Sequence, residues 1–101
     1  MTKKYIISEQ AQQDMEDIWW YIAQDNPVAA DKTSDAIYEA YSLLAEHPYM
    51  GHVRKDITRS SLRFWAVYDY LIIYDPRSEP LRVVHVLSGS RDLEPLLDDE
   101  L

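Results

Sequence analysis

Tyr70-Leu-Ile-Ile-Tyr-Asp-Pro-Arg-Ser-Glu-Pro-Leu-Arg-Val-Val-His-Val-Leu-Ser-Gly-Ser-Arg-Asp-Leu-Glu-Pro-Leu-Leu97 is the stretch that decides the fold. It holds two runs of β-branched and aromatic residues, 70–74 and 81–87, a composition that suits a pleated, half-buried surface. Between them Pro76 and Pro80 bracket a break too proline-rich to continue a strand. After Leu87, Ser88-Gly89-Ser90 turns the chain toward Arg91-Asp92 and a short leucine tail. The pattern predicts two strands, a turn and a tail.

Upstream, residues 62–67 read as another strand, and Tyr68-Asp69 turns it into the run beginning at Tyr70. Met50-Gly51-His52-Val53-Arg54-Lys55-Asp56 reads as a turn opening a basic loop. Further back the period changes from two to nearly four. Ala11, Met15, Ile18 and Ile22 are spaced four, three and four apart, the stripe of one helix face, with Trp19 and Ala23 widening it and Asp14, Glu16, Asp17 and Gln24 falling mainly elsewhere. Ser8 suits the N-cap and Glu9 the first turn, so a helix is predicted over 9–24. Asp25-Asn26-Pro27 ends it and starts another: Asn26 caps, and Pro27 fits the first helical position, where its missing N–H costs nothing. Ala36, Ile37, Ala40, Tyr41 and Leu44 carry that second helix to His47-Pro48. A break this short makes the two helices antiparallel neighbours, an αα-hairpin over 9–46. Tyr5-Ile-Ile precedes it as a short strand. The predicted order is β-α-α-β-β-β, an α+β domain spanning residues 1–101, with an N-terminal strand, a two-helix antiparallel hairpin and a three-stranded antiparallel sheet.

Composition narrows the function classes. No cysteine is present, which removes disulfides, thiolate metal sites and cysteine nucleophiles together. The amino terminus has only a three-residue apolar run, short of the about 7–15 residues of a secretory leader, so a cytoplasmic protein without membrane contact is expected. Net charge is −8, unevenly spread: residues 1–50 carry −6, whereas residues 51–92 carry +2. An acidic helical half and a basic strand half suit a polar protein partner better than nucleic acid, whose non-specific affinity comes from neutralising phosphates. His47, His52 and His85 lack ligand spacing, and Gly51 and Gly89 are isolated turn residues with structural roles, so neither metal, phosphate loop nor cofactor is expected. His85, sharing a strand face with Leu81, Val83 and Leu87, reads as a buried, hydrogen-bonded core histidine. Trp19, Trp20 and Tyr21 are consecutive and point about 100° apart, so they cannot share one core. Trp19 is assigned to the core and a structural role. Trp20 and Tyr21 are left at its edge or outside, where with Tyr38, Tyr41 and Tyr49 they offer anchors for a partner. Arg91-Asp92 reads as a turn and cap, or as part of a binding surface.

The ordered set of motifs resembles the ParE branch of the ParE/RelE toxin superfamily. The set runs through Ser8, Ala11, Asp14, Ile18 and Tyr21-Ile-Ala23, then Asn26-Pro-x-Ala-Ala30, Leu44-x-x-His-Pro-x-Met-Gly51 and the Arg54-x-Asp56 loop. It closes with Tyr70-Leu-Ile-x-Tyr74 and Arg82-Val-Val-x-Val-Leu-x-Gly-x-Arg-Asp-Leu93. The resemblance implies the same β-α-α-β-β-β fold and a growth-inhibiting toxin of a type II toxin–antitoxin system that stabilises a plasmid or chromosome. It further implies a non-enzymatic inhibitor of DNA gyrase, neutralised in a hetero-oligomer by a ParD-like antitoxin that folds on binding and carries any contact with nucleic acid. The surface it implies for antitoxin or target comprises Trp20, Tyr21, Tyr38, Arg63, Trp65, Arg82 and Arg91. Two alternatives stay open: an inactive antitoxin-binding relative, and the RelE-like branch, which cuts messenger RNA on the ribosome. Cutting needs a base, an acid and cations for the phosphorane. Arg54, Lys55, Arg63 and Arg82 could supply the cations, with Arg63 and Arg82 brought close by the sheet. Ser88 stands where relatives often carry His, so the proton shuttle is missing.

Overall fold

A computed structural model describes residues 4–55 and 61–89. β1 spans Tyr5–Ile7, α1 Glu9–Ala23, α2 Pro27–Glu46, β2 His52–Val53, β3 Arg63–Val67, β4 Tyr70–Asp75 and β5 Leu81–Ser88. Both helices begin where local chemistry dictates. The Ser8 hydroxyl accepts from Ala11 N at 3.0 Å, and the Asn26 side chain accepts from Ala29 N at 3.0 Å with Pro27 directly behind it. Each cap satisfies a backbone donor that helix geometry leaves without a partner, worth about 1 kcal/mol. None of the described helices is long and apolar enough to cross a membrane.

The sheet is larger and more mixed than three antiparallel strands. Five strands lie in the order β1-β5-β4-β3-β2. β2, β3, β4 and β5 pair antiparallel in sequence order, but β1 pairs parallel with β5, Tyr5 opposite Leu81 and Ile7 opposite Val83. The N-terminal strand is therefore an edge of the sheet, and His52 and Val53, which the sequence places in a turn, form the other edge. Both differences have one cause: pairing partners are set by tertiary contacts, and a two-residue exposed strand carries no period to read.

α1 and α2 cover one face of the sheet. Ala11, Met15, Ile37, Ala40, Tyr41 and Leu44 pack there on Ile72, Tyr74, Leu81, Val83 and Val86, with Ile18 partly buried against them. Leu62, Phe64, Ile73, Val84 and Leu87 form a second buried cluster of alternate strand residues. β5 changes phase partway along. Tyr74 pairs with Val83 and Ile73 with His85, so Val84 is an extra residue, a β-bulge. Leu81 and Val83 consequently belong to the helix-side cluster, whereas His85 and Leu87, beyond the bulge, pair with Ile73 and Leu71 of the other, so the four do not share one face as strict alternation predicts.

Candidate protein-binding surface

β1 stops at Ile7, three residues into its pairing with β5, and α1 completes the exposed edge that follows. Ser8 N donates to Val83 O at 3.0 Å and Ser8 Oγ to Val84 O at 2.8 Å. One helical turn and a half further on, Asp14 Oδ2 accepts from Val86 N at 3.0 Å and lies 3.2 Å from His85 Nδ1. Strand β5 thus keeps its backbone partners because helix side chains replace the missing strand. Asp14 is only 8% exposed, so it does not lie off the buried stripe as its charge suggests; it is the polar member of that stripe. Burial acts to raise its pKa, yet hydrogen bonds from His85, Gln10 and Val86 N–H outweigh it and hold the carboxyl below its ordinary value of 3.8. His85 is buried and hydrogen-bonded, the role the sequence assigns it, although the bulge rather than simple alternation puts it there.

Beside this junction α1 and the strands enclose a groove of about 380 Å³. Asp14, Asp17 and Tyr21 line it from the helix, with Tyr70, Val86 and Ser88 opposite. Tyr21, Tyr70 and Ser88 also line an adjoining hollow that reaches Arg54 and the β3–β4 turn, so the two are continuous. At that turn Tyr68 has φ 53°, in the left-handed region, and is 70% exposed. Trp20 is 66% and Tyr21 74% exposed, as their positions around the helix require, and Tyr38 is partly exposed on α2. Tyr41, by contrast, is fully buried between the rings of Tyr5 and Tyr38 and offers no anchor.

Trp19 is half-buried rather than a core residue. The buried stripe of α1 runs through Ala11, Met15 and Ile18, and the next position swings toward α2, where the indole Nε1 donates to Asp31 at 2.9 Å. Trp65 packs half-buried against the helix-side core, its other surface stacked on His52 at 6.5 Å.

The two strand arginines do not come together. Arg63 pairs across β3 and β4 with Tyr74, whose side chain belongs to the helix-side core, whereas Arg82 sits opposite Asp75, one residue out of phase. The two arginines are therefore on opposite faces of the sheet, with β4 between their strands. Arg63 also has a different occupation from the one expected. Its guanidinium donates to Gly51 O at 2.7 Å and Tyr49 O at 3.2 Å and lies 5.1 Å above the Tyr49 ring. Tyr74 completes that clamp, accepting from Gly51 N at 2.9 Å and donating to Pro48 O at 2.7 Å; its burial raises its pKa. Glycine is required at position 51. A Cβ there would collide with the Tyr74 hydroxyl and stand 3.0 Å from Phe64 O. Lys55 is exposed and Arg54 half-buried at the rim of the adjoining hollow. Gly89 holds a turn, its N–H donating to Asp69 O at 2.7 Å. Arg91 and Asp92 lie outside the described residues.

Sequence reasoning missed Asp17, Tyr68 and Tyr70 as surface features and Asp14 as a buried one. The pair Asp14 and Asp17, three residues apart beside an apolar stripe, is the local sign of the groove wall.

No curated protein sequence matches the chain. Among solved structures it is similar to a chain described as the chromosomal ParDE TA system from P. aeruginosa, with a TM-score of 0.68. The match covers 86% of this chain and 96% of that one at 14% identity, a likeness of fold. The family model for the ParE toxin of the type II toxin–antitoxin system parDE matches residues 5–93, from the first residue of β1 to beyond the last of β5. The chain belongs to the ParE toxin family.

Proposed function

We infer that this toxin acts in the cytoplasm by binding DNA gyrase, without cutting RNA, and is neutralised by a ParD-like antitoxin folding across the α1–α2 hairpin. The observation that carries the reading is the aromatic row on that hairpin. Trp20 and Tyr21 stand out from an acidic helix in a ParE-family chain. Exposed Trp and Tyr side chains with a polar rim are the residues that dominate binding energy at protein interfaces. An antitoxin segment that is disordered when free can bury on the order of 1,000–3,000 Å² as it folds, enough to cover a small toxin extensively. Acidic residues around the anchors speed association with a basic segment and disfavour acidic competitors. The placement of the cations supports binding over RNA cleavage. Arg63 is occupied by backbone carbonyls, Arg82 is on the opposite face, and His85 is tied to Asp14.

The test is supercoiling of relaxed plasmid by purified gyrase. Stoichiometric toxin should stop it, and the small protein encoded beside the toxin gene should restore it. Unimpeded supercoiling at a large toxin excess, with the adjacent protein still binding, would identify the chain as an inactive antitoxin-binding relative.

A further inference from the structure

We propose that the groove between α1 and β5 is a socket for an arginine side chain of the protein partner, with Asp17 as its carboxylate and Tyr21 and Tyr70 as its flat walls. This deepens the antitoxin reading above by naming what the bound segment must carry.

The chemistry of the walls selects the ligand. Asp14, Asp17 and Tyr21 occupy positions i, i+3 and i+7 of α1, one face about 10 Å long. Asp14 stays ionised, because its hydrogen bonds hold its pKa low, but its oxygens are already engaged by Val86 N–H, His85 and Gln10. It supplies negative potential rather than a docking atom. Asp17 is exposed and accepts one bond, from Gln13 Nε2 at 2.9 Å, leaving acceptor capacity on a carboxylate that can take a fork of two N–H donors. Tyr21 and Tyr70 line the same groove as that carboxylate, close enough to each other that Tyr21 helps to raise the pKa of Tyr70 after burial. A guanidinium satisfies all three, since it is planar, stacks on aromatic faces and binds carboxylates through paired donors, whereas an ammonium offers only a point charge.

Tyr68 adds an exposed aromatic side chain at the same end of the molecule. It holds the first position of the two-residue hairpin turn between β3 and β4, where a positive φ matches the twist of the paired strands, and its side chain is 70% exposed. Its ring borders the hollow continuous with the groove, where residues flanking the arginine would lie.

Selection of a random peptide phage library on the folded protein tests the proposal. Recovered binders should share an arginine at one fixed position, and its replacement by lysine or norleucine should weaken binding by tenfold or more. Asp17→Lys and Tyr21→Ala, both at exposed positions, should each cost about tenfold or more. Asp35→Lys, the same charge change at an exposed α2 position that does not line the groove, should cost less than threefold. Binders without a shared arginine, no binders at all, or equal losses from Asp17→Lys and Asp35→Lys would overturn the socket. The readout involves neither gyrase nor growth, so an inert toxin with a working socket and an active toxin without one remain distinguishable.

Discussion

At the scale of single residues, Asp14 ties the helices to the sheet. Its partners Val86 N–H and His85 are more than seventy positions away in sequence. Asp14→Ala leaves that buried N–H without an acceptor and should cost about 1–3 kcal/mol in urea unfolding. Asp14→Asn keeps an acceptor oxygen and should cost less. The two proteins should also respond differently to acid. The folded carboxyl has a lowered pKa, so unfolding takes up a proton; its stabilisation is complete above the ordinary value of 3.8 and is lost as pH falls through the folded value. Urea midpoints measured at descending pH should fall less steeply below pH 4 for Asp14→Asn than for the wild type. A second residue argues the opposite way. The buried Tyr41 hydroxyl has no hydrogen-bond partner among the described residues, and burial pushes its pKa well above the ordinary tyrosine value. Tyr41→Phe should therefore stabilise the protein, by up to about 1 kcal/mol in the same assay. Neither effect is legible in the sequence. An acid beside an apolar stripe reads as solvated, and a tyrosine reads equally as core or anchor, until the element across the interface is known.

Among the elements, what is local was readable and what is paired at a distance was not. Ser8, Asn26 and Pro27 fix both helix starts through bonds to the next turn, and the 3.6-residue period fixes which side chains of α2 are buried. The parallel pairing of β1, the edge strand β2 and the bulge at Val84 depend on partners dozens of residues away. The same distinction corrects Trp19: period alone cannot tell a core position from one facing the neighbouring helix. Trp19→Ala should cost about 2 kcal/mol, roughly half the truncation cost of a fully buried tryptophan. Trp20→Ala should leave unfolding within about 0.5 kcal/mol of wild type and weaken antitoxin binding about 30-fold or more. The turn after α2 can be tested as a unit. Gly51→Ala should destabilise by about 1–3 kcal/mol, because its methyl group has nowhere to go beside Tyr74 and Phe64. Introduced into Tyr74→Phe it should cost measurably less, and a double-mutant unfolding cycle reads that coupling.

For the whole molecule, the split between an acidic helical half and a basic strand half survives folding in an informative way. Helices α1 and α2 form one layer on the sheet and carry the exposed Trp20, Tyr21 and Tyr38. Arg63 and Arg82 are parted onto opposite faces of the sheet. Among the described residues, the two strand arginines are not placed to share one phosphate. The family was legible because its motifs are spread in order along the chain, even though the groove beside α1 was not. The most direct measurement is to induce the toxin in growing bacteria and follow plasmid topology and the 5′ ends of messenger RNA in the same culture. Loss of negative supercoiling while transcripts stay intact is the predicted result. Codon-phased cleavage of transcripts with supercoiling unchanged would contradict the account.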